Sequence, residues 1–122
     1  MFRKISVAIL LASMLSVTAG AGVVATTGSA IVGVSCDEDL AQVKRVCAGR
    51  LTVMGNLNGI EMRHWSAADA EAAVKEAIRR CARGGGFILA DTHGEIPWQV
   101  PDSVLLAISR AAKKYGTYPL PG

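Results

Sequence analysis

The sequence predicts an α/β fold in which parallel strands are joined by helical crossovers. From Ser29 onward short apolar runs alternate with amphipathic helical stretches, a pattern that hairpins cannot produce. Each apolar run is followed by a polar loop rich in Asp, Asn, Gly or His. The chain is 51% hydrophobic but only 5% aromatic, so the core is aliphatic, as buried parallel strands require. At 122 residues it forms one domain and falls well short of a closed eight-stranded α/β barrel, which takes about 250 residues.

Ala30 to Val34 reads as the first strand. Asp37 can cap a helix that places Leu40, Val43 and Cys47 on one face and stops at Gly49. Leu51 to Met54 reads as the second strand, with Gly55-Asn56-Leu57-Asn58 as the loop after it. Ser66 starts a helix whose Ala70, Ala73, Val74, Ala77, Ile78 and Cys81 recur three and four apart, with Asp69 in the first turn and Arg79, Arg80 and Arg83 in the last. Gly84 stops it. Phe87 to Ala90 is the third strand, and a last helix from about Asp102 buries Val104, Leu105, Ile108, Ala111, Ala112 and Tyr115.

The N-terminal segment, residues 1–27, stands apart from residues 28–122. Arg3 and Lys4 precede an apolar run from Ile5 to Val17, and small residues Thr18 to Ala21 follow, the layout of a secretory signal peptide. The competing reading is a buried element of the fold. Gly20, Gly22, Thr26, Thr27 and Gly28 interrupt the run before it reaches the length of a membrane-spanning helix, which argues against a membrane partner.

In a parallel sheet all strand C-termini lie on one edge, where α/β folds hold their ligands. Three polar loops meet there: Ser35-Cys36-Asp37, Gly55 to Asn58, and Asp91-Thr92-His93-Gly94-Glu95. An imidazole between two carboxylates suits a proton donor, an anion binder or a metal ligand; the plainer alternative is a loop ordered by its own Asp and Gly. Asn56 and Asn58 suit either hydrogen bonding to a ligand or turn formation. His64, beside Trp65, reads as a packing or hydrogen-bonding residue. Gly84-Gly85-Gly86 closes a helix and enters a strand, the reverse of a phosphate-binding loop, and so reads as a cap.

Thirteen Lys and Arg against ten Asp and Glu give a net charge of +3, scattered with no block long enough to track phosphates, which argues against a nucleic-acid partner. The three cysteines lack metal-ligand spacing and read as reduced thiols. Cys47 and Cys81 fall on apolar helix faces, leaving Cys36 as the one thiol on the rim.

Taken together, Leu51–Asn58 (LTVMGNLN), Gly84–Pro97 (GGGFILADTHGEIP) and Val100–Val104 (VPDSV) resemble the C-terminal part of the uroporphyrinogen decarboxylase family, over about residues 28 to 119. That family includes haem-pathway decarboxylases and zinc-dependent methylcobamide methyltransferases on a (β/α)8 barrel. The resemblance therefore implies the C-terminal portion of such a barrel, three or four parallel strands with crossover helices, in a cytoplasmic protein. It implies a tetrapyrrole substrate, no cofactor, His93 as the catalytic residue, and Asn56, Asn58, Asp91, Gly94 and Glu95 around the substrate.

His93-Gly94 is similar to the decarboxylase pattern, whereas the Gly-Gly-Phe-Ile-Leu run is similar to the methyltransferase branch. The latter alternative implies a methyl-donor substrate, zinc held in part by His93, and a corrinoid as methyl donor. The family's N-terminal strands, with its carboxylate-gripping arginines, its catalytic aspartate and its His-x-Cys zinc motif, have no counterpart in these residues. The resemblance thus implies part of an enzyme, from a truncated or split gene, incomplete without a complementary barrel fragment or self-association. A non-catalytic exported protein is the remaining alternative.

Overall fold

The computed structural model describes residue 26 and residues 28–120 apart from 48 and 93. Expectations about residues 1–25, and about His93, fall outside the described residues. The elements run β1 (Ile31–Gly33), α1 (Leu40–Cys47), β2 (Thr52–Leu57), a 3-10 turn (Glu61–His64), α2 (Ala67–Cys81), β3 (Phe87–Asp91) and α3 (Asp102–Tyr115).

The three strands are parallel and stand in sequence order, β1-β2-β3. In register, Val32 faces Val53 and Val53 faces Phe87, while Gly33, Met54 and Ile88 form the adjacent row. Successive rows point to opposite faces of the sheet. Val32, Val53, Phe87 and Leu89 pack with Leu40, Val43 and Cys47 of α1 and with Ala77 and Cys81 of α2. Leu57, Phe87 and Leu89 also join the cluster formed by Ala70, Val74 and Ile78 of α2 with Val104 and Ala111 of α3. All three helices thus cover one face. The opposite face carries Ile31, Met54 and Ile88, the last 40% exposed. Strands in sequence order with α1, α2 and α3 on one side form a singly wound arrangement, as in part of a (β/α)8 barrel; a doubly wound sheet carries helices on both faces.

Local chemistry explains the element ends. Ser66 Oγ accepts the Asp69 N–H at 3.1 Å and Asp69 Oδ2 accepts the Ser66 N–H at 2.8 Å, a reciprocal cap that opens α2. Helix α1 is shorter than the sequence suggests and is capped by Asp39, whose Oδ1 accepts the Ala41 N–H at 2.9 Å, rather than by Asp37. Strand β2 extends three residues beyond Met54, so Gly55, Asn56 and Leu57 belong to the strand and not to the loop. Gly84, Gly85 and Gly86 all adopt positive φ on the way from α2 into β3, as the cap reading requires. Lys44 Nζ donates to the carbonyls of Gly85 and Gly86, tying this turn to α1.

Two side chains depart from expectation. Leu105 is 36% exposed, because α3 turns Val104 and Ala111 to α2 and leaves Leu105 at the margin. His64 ends the 3-10 turn exposed, while neighbouring Trp65 does the packing.

Three carboxylates on α2 sit below their ordinary range, and each holds a part of the fold together. Asp69 is lowered by the Ser66 side chain, and Glu71 by hydrogen bonds from Tyr115 Oη at 2.7 Å and Lys114 Nζ at 2.9 Å, which join α2 to α3. Glu76 is lowered to about 2 by its bonds with Arg79 and Arg80. A carboxylate with a depressed folded pKa stabilises the fold fully above its unfolded value and loses that contribution as pH falls through the folded one. Thermal melts are accordingly expected to shift down as pH drops from the ordinary glutamate value of 4.5 towards about 2, and Glu71→Gln should blunt the shift.

Candidate functional site

The C-terminal ends of β1, β2 and β3 lie on one edge, and Asn56, Asn58, Asp91, Gly94 and Glu95 are distributed along it. Thr92 continues the β3 pairing: its N–H and hydroxyl both donate to Leu57 O, at 2.9 and 3.2 Å. Asp91 faces Leu57 in register and is half-buried. Its carboxylate lies against the β2–α2 loop, since a Cβ placed on Gly59 would stand 3.1 Å from Asp91 Oδ2. Gly94 (φ 76°) and Glu95 are exposed beyond the strand end.

Asn56 and Asn58 both have structural partners: Asn58 takes the turn-forming role open to it, whereas Asn56 reaches a loop distant in sequence. Asn56 Nδ2 donates to Ser35 O at 2.8 Å and to Glu38 O at 3.1 Å, which uses both of its amide protons on the β1–α1 loop. Asn58 Oδ1 accepts the N–H groups of Ile60 and Glu61, each at 3.1 Å, and so caps the 3-10 turn. Asn58 also lines a cleft.

That cleft, of about 330 Å³, opens between the β1–α1 loop and α2. Cys36, Asp37 and Glu38 form one wall, Trp65, Glu76 and Arg80 the other, with Asn56, Leu57 and Asn58 at its base. Arg80 is held by Glu76 at 2.6 Å and approaches Asp39 at 3.7 Å, so its charge is already partnered. Sequence reasoning placed Arg80 only as a helix-end charge. The signal that could have found it is its position one turn from Ala77, on the side of α2 facing α1.

The cysteines divide as expected. Burial raises the Cys47 thiol above its ordinary value and pushes the Cys81 thiol up to about 11, which keeps both protonated and inert. Cys36 is half-buried on the rim, with its Sγ 4.0 Å from Asp37 Oδ1. Among the described residues no three His, Cys, Asp or Glu side chains converge to hold a metal ion. No helix among them is long and apolar enough to cross a membrane.

Three parallel strands joined by helices, with polar strand ends gathered on one rim, define an α/β protein whose arrangement is consistent with part of a (β/α)8 barrel. The sequence matches the uroporphyrinogen decarboxylase (URO-D) family over residues 15–115, and the chain belongs to that family. The match begins upstream of residue 28, where the motif resemblance starts, and takes in part of the N-terminal segment. No curated protein matches the chain significantly.

Proposed function

We propose that this chain forms the C-terminal rim of a uroporphyrinogen decarboxylase-type active site and acts, with other barrel strands, on a tetrapyrrole bearing acidic side chains. The observation that carries this reading is the His93-Gly94 pair directly after β3, inside a family match that spans most of the chain. In the reaction, the bond between an acetate methylene and its carboxylate breaks and CO2 leaves. The electron pair stays on carbon and takes up a proton. His93 supplies that proton or the positive charge that stabilises the developing anion.

The charge distribution supports a role for further strands in this reading. The rim offers Asp37, Glu38 and Glu95, and Arg80 is already paired with Glu76 and Asp39. A substrate carrying many carboxylates is repelled by such a rim unless cations on neighbouring strands grip it. Asn58 lines the cleft, and Asn56 acts through the loop it holds.

The second reading, a zinc-dependent corrinoid methyltransferase, is favoured by the Gly85-to-Leu89 run that leads into the rim. Imidazole is a suitable zinc ligand, so His93 fits such a metal in kind. Its companion ligands would come from outside the described residues.

The deciding experiment incubates uroporphyrinogen with the chain, alone and together with the N-terminal half of a barrel of this family, and separates the porphyrins after oxidation. Stepwise loss of carboxylates only in the mixture supports the decarboxylase reading. No loss in the mixture, with methyl transfer from methylcobalamin to a thiol in its place, supports the second.

The same reading assigns the chain to the cytoplasm with residues 5–17 retained. Intact mass of protein from its native host should show the full N-terminus; a mature chain starting near Ala21 would move it to the cell envelope.

A further inference from the structure

The β1–α1 loop is pinned at both ends, and one side chain of β2 bridges two of its carbonyls. Val34, 4% exposed, donates its N–H to Met54 O at 2.9 Å, and Leu40, 3% exposed, begins α1 in the core. Between them Ser35 to Asp39 are half-buried or exposed. Most of their hydrogen bonds stay within the loop: Glu38 N to Ser35 O, Ser35 N to Glu38 Oε2, and Asp37 N to Ser35 Oγ. Asp39 itself is tied to α1, its Oδ1 accepting the Ala41 N–H at 2.9 Å and its carbonyl the Val43 N–H at 3.0 Å, and two further contacts cross to other elements. One is the 3.7 Å approach of Arg80 to Asp39, between side chains 43% and 51% exposed, a geometry that contributes little in water. The other is Asn56, which donates to the Ser35 and Glu38 carbonyls together.

We propose that residues 35–38 are a hinged flap forming one wall of the cleft and that Asn56 is its latch. Both protons of one amide nitrogen bridge the two ends of the flap to the end of β2, so a single rotamer change releases both carbonyls at once. Released, the flap carries Cys36, Asp37 and Glu38 away from Trp65 and Arg80, and the cleft opens to solvent. Asn56 is thus a positioning residue, and the inference stands independently of the substrate proposed above.

The three cysteines report the motion without added probes. Cys36 rides on the flap, while Cys47 and Cys81 lie in the core beneath α1 and α2. Local opening exposes the first alone; global unfolding exposes all three. The test is the rate of iodoacetamide labelling at each cysteine of the full chain, resolved by peptide mass spectrometry, in native buffer.

Asn56→Asp removes both donors and turns a carboxylate towards two carbonyls, so Cys36 labelling should rise about tenfold while Cys47 and Cys81 remain protected. Asp39→Asn keeps the cap on α1 but removes the charge pair, and should change Cys36 labelling by less than about twofold. An unchanged Cys36 rate in Asn56→Asp would overturn the proposal. So would equal acceleration at all three cysteines, which would make Asn56 a support of the whole fold, or a larger effect from Asp39→Asn than from Asn56→Asp.

Discussion

Gly55→Ala is expected to remove a large part of the stability of the chain. Gly55 sits in the central strand with φ at +145°, a conformation that residues with a Cβ rarely adopt. A Cβ there would stand 2.7 Å from Val34 O, a backbone atom fixed at the end of β1. Neither neighbour can yield, because Val34 is hydrogen-bonded to Met54 and buried in the core. Backbone strain and overpacking together cost about 3 to 5 kcal/mol, against the 5 to 15 kcal/mol that typically separates a domain from its unfolded state. Gly33→Ala is the control. Its Cβ meets only Met54 Cε at 3.9 Å, an ordinary contact, so circular dichroism melts should change little. Equal melts for the two variants would mean that β2 does not pass Val34 as described.

The largest effect on activity is expected at His93. With the barrel completed by its N-terminal half, His93→Ala should lower decarboxylation by about tenfold to a thousandfold, the range for losing a positioned proton donor or charge stabiliser. His93→Cys separates the two branches of the family. A thiolate is a good zinc ligand but a poor substitute for an imidazolium, so the change should impair a decarboxylase and preserve zinc content and methyl transfer in a methyltransferase. Unchanged turnover in both variants would make His93 an ordered loop residue and remove the site assignment.

The helices were the most legible part of the sequence. Repetition of Ala70, Val74, Ala77, Ile78 and Cys81 at three and four residues states a buried stripe directly, and Ser66 with Asp69 states its start. Strand β2 was read too short because Gly55 and Asn56 are turn-forming residues by type. What keeps them in the strand is long-range: pairing with Leu89 and Ala90 on β3, and the Asn56 bonds to the β1–α1 loop. The same limit governs the site. That three loops share an edge followed from parallel connectivity, a local pattern. That Asn56 spends its donors on two backbone carbonyls, or that Arg80 reaches the cleft already paired, depends on residues distant in sequence and has no periodic signature.

The covering of helices on one face also bears on assembly. The outer edges of β1 and β3 have no strand partner among the described residues, and Ile88, Ile96 and Trp98 are exposed near β3, Trp98 by 89%. Open parallel edges and apolar surface of this kind favour association with further strands.

Hydrogen exchange of the full chain at several concentrations, paired with light scattering on a sizing column, tests the barrel-segment account most directly. The account predicts concentration-dependent association, with protection at β1 and β3 rising as assemblies form while β2 stays protected throughout. A monodisperse monomer whose three strands are equally protected at every concentration would contradict it.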